Sequence, residues 1–403
     1  MRILVVGAGG VGAAVPAIAQ RRGCFEHMAV ADIALERARA AVERLGEPDR
    51  FSAAQVDASD PAALVALIRE TRADAVLNAC DPRLNESIFG SCHAARVTYL
   101  DMAMTLSRRH PTDPFNRPGT LLGETQLAES EAWERSGQLA LVGIGVEPGL
   151  SDVFARYAAD HLFSQVEEIG VRDGSDLRIA GYDFAPTFSI WTTIEECLNP
   201  PLVWERDRGW FTTEPFSEPE QFRFPAGIGE LECVNVEHEE VVLIPRWVEC
   251  ERVTFKYGLG REFVEVLRTL AQLGLDRTEP VRVRGGVEVS PRDVVAAVLP
   301  DPATLGERMT GRTCAGTYVT GVGTDGSPRR AYLHHVVDNE WSMREYGAQA
   351  VVWQTALNPV IALELLATGV WKGKGVLGPE AFDAAPFLEL LAAYGAPHGI
   401  EER

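Results

Sequence analysis

The sequence is short of positive charge. Lys and Arg number 38 against 58 Asp and Glu, which leaves a formal net charge of −20 over 403 residues. DNA, RNA and anionic membrane surfaces all call for a basic face, so none is expected as the main partner. The acidity itself serves solubility. Long hydrophobic runs are missing too. The opening run Met1-Arg2-Ile3-Leu4-Val5-Val6 stops at Gly7, too short for a signal-peptide core or a membrane span, and no later run has membrane length. The seven cysteines (Cys24, Cys80, Cys92, Cys197, Cys233, Cys250 and Cys314) form no Cys-x-x-Cys pair, which points to reduced thiols in a cytoplasmic protein. What remains is ordinary globular composition, 46% apolar and 24% charged. The length suits two or three domains and a large core without disulfide or metal staples.

The N-terminal third alternates short apolar runs with helical stretches. Runs at Ile3 to Val6, Met28 to Ala31, the segment ending near Val56, Ala73 to Ala79, Arg96 to Leu100 and Leu139 to Ile144 predict six strands of a doubly wound parallel sheet. Asp60-Pro61 opens one of the intervening helices. From Ser151 the runs lengthen and become β-rich, as in Glu230 to Ile244 and Arg252 to Tyr257. Asp325-Gly326 predicts a hairpin between Thr317 to Gly323 and Arg330 to Val337. After Asp338 the chain turns helical, with Asn358-Pro359 predicted to open a helix that Gly369 ends. The expected organisation is an α/β Rossmann domain over 1–150, an α+β substrate domain with a mostly antiparallel sheet over 151–343, and C-terminal helices over 344–403.

Gly7-Ala8-Gly9-Gly10-Val11-Gly12 fits G-x-G-x-x-G where a strand ends and a helix begins. Gly7 permits the tight turn, Gly9 lets the backbone approach a pyrophosphate, and Gly12 lets the helix pack on the sheet. The helix N-terminus offers unpaired N–H groups to that anion. Asp32 ends the second strand, where a carboxylate accepts hydrogen bonds from adenosine ribose and repels a 2′-phosphate. No basic residue follows until Arg37, so NAD is expected over NADP. Pro16 lies inside the predicted helix and should kink it. Asp57, closing the third strand, either lines the adenine pocket or caps its own turn.

Beyond the glycine loop, several stretches occur in a telling order. They are Val76-Leu77-Asn78-Ala79-Cys80, Cys92-His93 with Val97-Thr98-Tyr99-Leu100-Asp101, Gly145-Val146-Glu147-Pro148-Gly149, Gln354-Thr355-Ala356, and Trp371-Lys372-Gly373-Lys374-Gly375-Val376. The set resembles the saccharopine dehydrogenase/reductase-like family, which includes lysine 6-dehydrogenase and carboxynorspermidine dehydrogenase. The resemblance implies a Rossmann domain, a β-sheet substrate domain, C-terminal helices that return to the first domain, and often a homodimer. It implies NAD(P)-linked chemistry at a CH–NH bond of an amino-acid or opine substrate, in a cleft between the domains. It places Asn78, Ala79, Cys80 and Gly145 beside the nicotinamide, and Tyr99 and Asp101 at the cleft.

Hydride transfer to or from such a bond needs a proton-transfer group and, for each substrate carboxylate, a cation. Asp101, at the end of a parallel strand, is an acidic candidate or a loop cap. Glu147 and Asp152 bracket the loop between domains; Asp152 either contacts substrate or caps the helix near Val153. His238, expected in a strand among Glu237, Glu239 and Glu240, is either a catalytic histidine or a surface one. Arg178, Arg246 and Lys256 are the candidates for substrate carboxylates, each taken singly being first a solvated salt bridge. Phe184 to Trp191 forms either cleft wall or core. His334-His335 cannot ligate one metal from opposite strand faces, and no metal is expected. A saccharopine pocket should gather two or more Arg or Lys; a lysine pocket needs one, plus an acid. A nucleotide sensor without turnover should lack a carboxylate or histidine at the nicotinamide.

Overall fold

The computed structural model describes residues 1–403. The first segment runs β1 (Arg2–Val6), α1 (Gly10–Ala19), β2 (His27–Asp32), α2 (Leu35–Glu43), β3 (Phe51–Gln55), α3 (Pro61–Thr71), β4 (Ala75–Asn78), α4 (Asn85–Ala95), β5 (Thr98–Asp101), α5 (Glu124–Ala128), α6 (Ser130–Ser136) and β6 (Leu139–Leu141). Most of these strands are short and nearly continuously apolar because helices cover both faces of the sheet. The Asp60 side chain accepts from Ala62 N and Ala63 N and caps α3 as expected. Pro16 leaves α1 intact to Ala19.

The middle of the chain holds α7 (Leu150–His161), β7 (Phe163–Ser175), β8 (Arg178–Ile179), α8 (Ile190–Leu198), β9 (Leu202–Glu205), β10 (Gly209–Thr212), β11 (Glu220–Phe224), β12 (Gly229–Asn235), α9 (Glu240–Trp247) and β13 (Arg252–Gly258). It continues with α10 (Arg261–Gln272), β14 (Val281–Arg282), β15 (Glu288–Val289), α11 (Pro291–Val298), β16 (Met309–Thr310), β17 (Arg312–Gly323) and β18 (Pro328–Asp338). The long strand expected over Glu230 to Ile244 is instead two elements. β12 stops at Asn235, and Val241 to Ile244 belong to α9. That apolar quartet is buried on every side, so its pattern carries no period to separate helix from strand. His238 therefore sits in the connection and not in a strand.

The chain ends with α12 (Asn339–Tyr346), α13 (Ala350–Ala367), β19 (Gly375–Leu377), α14 (Ala385–Ala393) and β20 (Gly399–Glu402). Asn358-Pro359 does not open a helix but lies inside α13, whose cap is Gln349. Packing overrides the proline penalty because α13 is buried nearly all round, and Asn358 Nδ2 donates to the Gln354 carbonyl. By length and composition α13 is apolar enough to cross a membrane, contrary to the sequence expectation, yet 83% of it is buried within the protein.

The strand order β19-β6-β5-β4-β1-β2-β3 makes a seven-stranded sheet, parallel throughout. The second sheet runs β10-β9-β13-β7-β17-β18-β20, with β12 joined to β13 and β11 to β12. Its pairs are antiparallel except one: β13 lies parallel to β7, with Tyr257 opposite Asp173. One continuous apolar core, including Leu4, Leu100, Val171, Phe255 and Trp353, joins the two sheets to the C-terminal helices.

Candidate active site

At the carboxyl ends of β1 and β4, backbone shapes the site. Gly7 has φ +103°, and a Cβ there would stand 2.6 Å from the Ala79 carbonyl oxygen. A Cβ on Gly12 would collide with the Gly7 carbonyl oxygen, whereas one on Gly9 would meet nothing within 4 Å. Open space at Gly9, before the N–H end of α1, fits the pyrophosphate of a dinucleotide. Asp32 Oδ2 accepts from Ala8 N and Oδ1 from Ala34 N, both at 2.8 Å, so the carboxylate also ties the glycine loop to the end of β2. Each oxygen keeps a lone pair for a ribose hydroxyl. Asp57 spends its Oδ1 on Ser59 N and Ser59 Oγ, as a turn cap. Asn78 donates to Asn85 Oδ1 and Tyr99 OH and accepts from Cys80 N. Burial pushes the Cys80 thiol up to about 12, and it donates to the Val6 carbonyl.

From this cradle a cavity of about 580 Å³ opens between the two sheets. Gly9, Gly10, Val11 and the segment Asn78–Pro82 line one end. Val146, Glu147 and Pro148 line the middle. Asp173, Glu196, Glu239 and Tyr257 line the inner end. The lining holds six carboxyl side chains, Asp81, Glu147, Asp173, Glu196, Glu239 and Asp301, and no Arg or Lys. Glu239 Oε1 accepts from Met104 N at 3.1 Å, which seats the inner wall against the chain leaving β5.

The inner carboxyls crowd one another. Burial, then repulsion from Asp173, drives Glu147 well above the carboxylate range, and its Oε1 is buried without a partner. Asp173 is raised by burial to about 6, with Glu147 and His238 opposing the shift. Burial raises Glu196 to about 8, and Glu239 is raised by the same cause. Behind them sits His238, 1% exposed, its Nδ1 2.6 Å from Glu240 Oε2 and 3.4 Å from Glu239 Oε2. Burial opposes its charge, but attraction to Glu240, Glu196 and Glu239 wins and lifts it to about 10. The donor atoms of His238, Glu239 and Glu240 lie within 4.8 Å of one another, a cluster invisible in strand periodicity; in this arrangement Nδ1 is bonded to Glu240.

Apart from the Phe184 to Trp191 stretch, the remaining candidates do not line the cavity. Asp101 is 1% exposed; it accepts from Gly143 N and Gln126 Nε2, and burial raises it to about 7. Tyr99 is fully buried against Phe89 and Trp133. Asp152 caps α7 by accepting from Gly149 N. Arg178 is exposed on β8, and Arg246 stands on the exposed side of α9, 5.4 Å from the Trp210 ring centroid. Lys256 is buried in ion pairs with Glu220 and Glu218. Gly145 N donates to the Pro148 carbonyl and shapes the loop that presents Glu147. Of Phe184 to Trp191, Ala185 to Ser189 are cleft wall, while Phe184 packs on Phe263. Asp173, Glu196, Glu239 and Tyr257 were not among the sequence candidates.

Residues 3–141 match the family model for the saccharopine dehydrogenase NADP binding domain, and residues 145–396 that for the saccharopine dehydrogenase C-terminal domain. The chain is 30% identical to carboxynorspermidine synthase of Vibrio alginolyticus, over 100% of this chain and 97% of that protein. It is 28% identical to carboxyaminopropylagmatine dehydrogenase of Synechocystis, over 98% and 96%. Among solved structures, the L-Glu-forming saccharopine dehydrogenase of Saccharomyces cerevisiae shares the fold, with TM-score 0.69 and 14% identity over 100% of this chain and 99% of that one.

Proposed function

Because the chain belongs to the saccharopine dehydrogenase family, we propose that it is a nicotinamide-dependent oxidoreductase working on the CH–NH bond of a polyamine-type secondary amine that carries a carboxylate. The charge of the cavity supports this reading: six carboxyls line it, and no Arg or Lys does. A saccharopine pocket wants two or more cations; the proposed substrate carries cationic groups in place of carboxylates and leaves a single carboxylate to be held by neutral donors. An ammonium or guanidinium group gains instead from an anionic wall of low dielectric. The names carboxynorspermidine and carboxyaminopropylagmatine describe amines of this kind, each with a carboxyl group. A sensor without turnover is disfavoured by the same carboxyls.

The cationic arm of the substrate rests against Asp173, Glu196 and Glu239. Its carboxylate turns to Ser189 at the N-cap of α8, whose hydroxyl accepts from Thr192 N and Thr192 Oγ1 and keeps its own proton to donate. Gly7, Gly9, Gly12 and Asp32 would hold the dinucleotide, whose chemistry there would be hydride transfer to an imine carbon. Asp32, with no basic side chain before Arg37, supports NAD over NADP. The seven cysteines, all unpaired, suit a reducing compartment.

The test is oxidation of NADH and NADPH by purified protein with aspartate semialdehyde paired with 1,3-diaminopropane, putrescine or agmatine. A parallel series pairs 2-oxoglutarate with lysine. Turnover with the aspartate semialdehyde pairs, faster with NADH, is expected. Turnover only with 2-oxoglutarate and lysine would overturn the reading.

A further inference from the structure

The inner wall holds a hydrogen-bonded chain that none of the sequence motifs names. Tyr257, near the end of β13, lines the cavity, and its hydroxyl has one partner, His238 Nε2 at 3.4 Å. The other ring nitrogen is bonded to Glu240 Oε2, and Glu240 Oε1 accepts from Ser151 Oγ at 2.8 Å. Phe255 stacks on the imidazole, centroids 3.8 Å apart and planes 8° apart. The ring is thus held in plane by Phe255 and along its axis by Glu240. Ionisable groups face it from each packed element: Glu239 and Glu240 from its own segment, Glu196 from α8, Tyr257 from β13 and Asp173 from β7. A protonated imidazole so placed donates one N–H to Glu240 and the other to the Tyr257 oxygen. The phenol hydrogen is then left to point into the cavity.

We propose that Tyr257 is the general acid of this cleft, and that His238 and Glu240 are positioning residues that resupply its proton. The inference rests on the imine chemistry proposed above. In the reductive direction, amine and aldehyde add to give a carbinolamine. Its nitrogen lone pair forms the C=N bond as the C–O bond breaks. The departing oxygen takes the Tyr257 proton and leaves as water, while the phenol oxygen takes the proton from His238 Nε2. One proton is consumed and no electrons are. The imidazole regains that proton from solvent before the next cycle. The wall carboxylates hold the Tyr257 phenol well above its ordinary range after burial has raised it, so the group rests protonated. Resupply in the same step spares the wall a tyrosinate beside those carboxylates.

Wild-type turnover of aspartate semialdehyde with a diamine or agmatine is the control. Its absence overturns the proposed function; the relay is then judged without turnover, and a neutral His238 at pH 8 in an ¹⁵N-histidine spectrum overturns it, so the two failures are distinct. Given wild-type turnover, Tyr257→Phe should lower kcat by about a hundredfold or more, with amine and NADH affinities by calorimetry within about threefold of wild type. Glu240→Gln, which keeps the phenol and the imidazole, should move the alkaline limb of the kcat profile to lower pH, a shift that loss of packing alone would not produce. An ¹⁵N-histidine spectrum should show His238 as an imidazolium at pH 8. A Tyr257→Phe protein with kcat within about threefold of wild type overturns the proposal, and so does an unshifted alkaline limb in Glu240→Gln. Should Tyr257→Phe not fold, the Glu240→Gln profile decides alone.

Discussion

The two ends of the cleft are made of different material. At the dinucleotide end the work is done by main chain: Gly7, Gly9 and Gly12 offer shape, and one side chain, Asp32, braces them. At the inner end the work is done by side chains, with Glu147, Asp173, Glu196, Glu239 and Tyr257 each contributed by a different stretch of a segment some hundred residues long. A backbone cradle tolerates almost no change of shape but carries little charge. A wall of carboxyls tolerates change of shape but is governed by protonation. The two ends should therefore fail in different ways when altered.

The largest effect is expected at the rigid end. Gly12→Ala puts a methyl group into the Gly7 carbonyl; overpacking of this kind costs about 1–3 kcal/mol, so NADH affinity by fluorescence titration should fall about ten- to a hundredfold. Undiminished affinity would break the contrast. At the inner end, Glu196→Gln should raise the KM for the amine about tenfold, within the range of charge-assisted hydrogen bonds, and leave NADH affinity alone. Because Glu196 lies near 8, amine binding should tighten as pH rises through 8 in the wild type, as the carboxyl ionises, and this slope should flatten in the variant.

Two buried histidines sharpen the comparison through stability. His335, lowered by burial to about 3, packs beside Trp353 and bonds to Gln354. Its stabilising contribution is complete above pH 6.5 and is lost as pH falls toward 3. His238, raised to about 10, contributes fully below 6.5 and loses that contribution as pH rises through 10. Urea midpoints across pH should show His335→Gln flattening the acid side and His238→Gln the alkaline side, each by up to about 1.4 kcal/mol per pH unit. The smallest effect is at Asp32. Asp32→Ala loosens the loop for either dinucleotide, so the ratio of NADH to NADPH efficiencies isolates its contact with the ribose. That ratio should fall severalfold, and an unchanged ratio would remove the argument for NAD.

The same contrast explains what could be read from the chain beforehand. The cradle is contiguous, its spacing is dictated by one turn, and its glycines announce themselves. The inner wall has no such local signature. Glu147 was visible because it lies in a Gly-rich loop, and His238 because of its acidic neighbours, though in the wrong element. Asp173 and Tyr257 carry no local signal, because only the folded register brings them together. They sit opposite each other near the carboxyl ends of β7 and β13, the one parallel pair in a sheet expected to be mostly antiparallel, and ligands gather at such ends. Lys256 shows the cost of missing register. It adjoins Tyr257, so the pleat turns it away from the cavity toward Glu220 and Glu218. Arg246 stands on the outer side of α9 and does not reach the cavity.

The last thirty residues touch both halves of the molecule. β19 extends the parallel sheet beside β6, and β20 pairs with β18 at the edge of the other, with α14 packed on α13 between them. The tail therefore stitches the two sheets together on the side away from the cavity mouth, and its Val376, Phe387 and Leu391 add to the core that both sheets share.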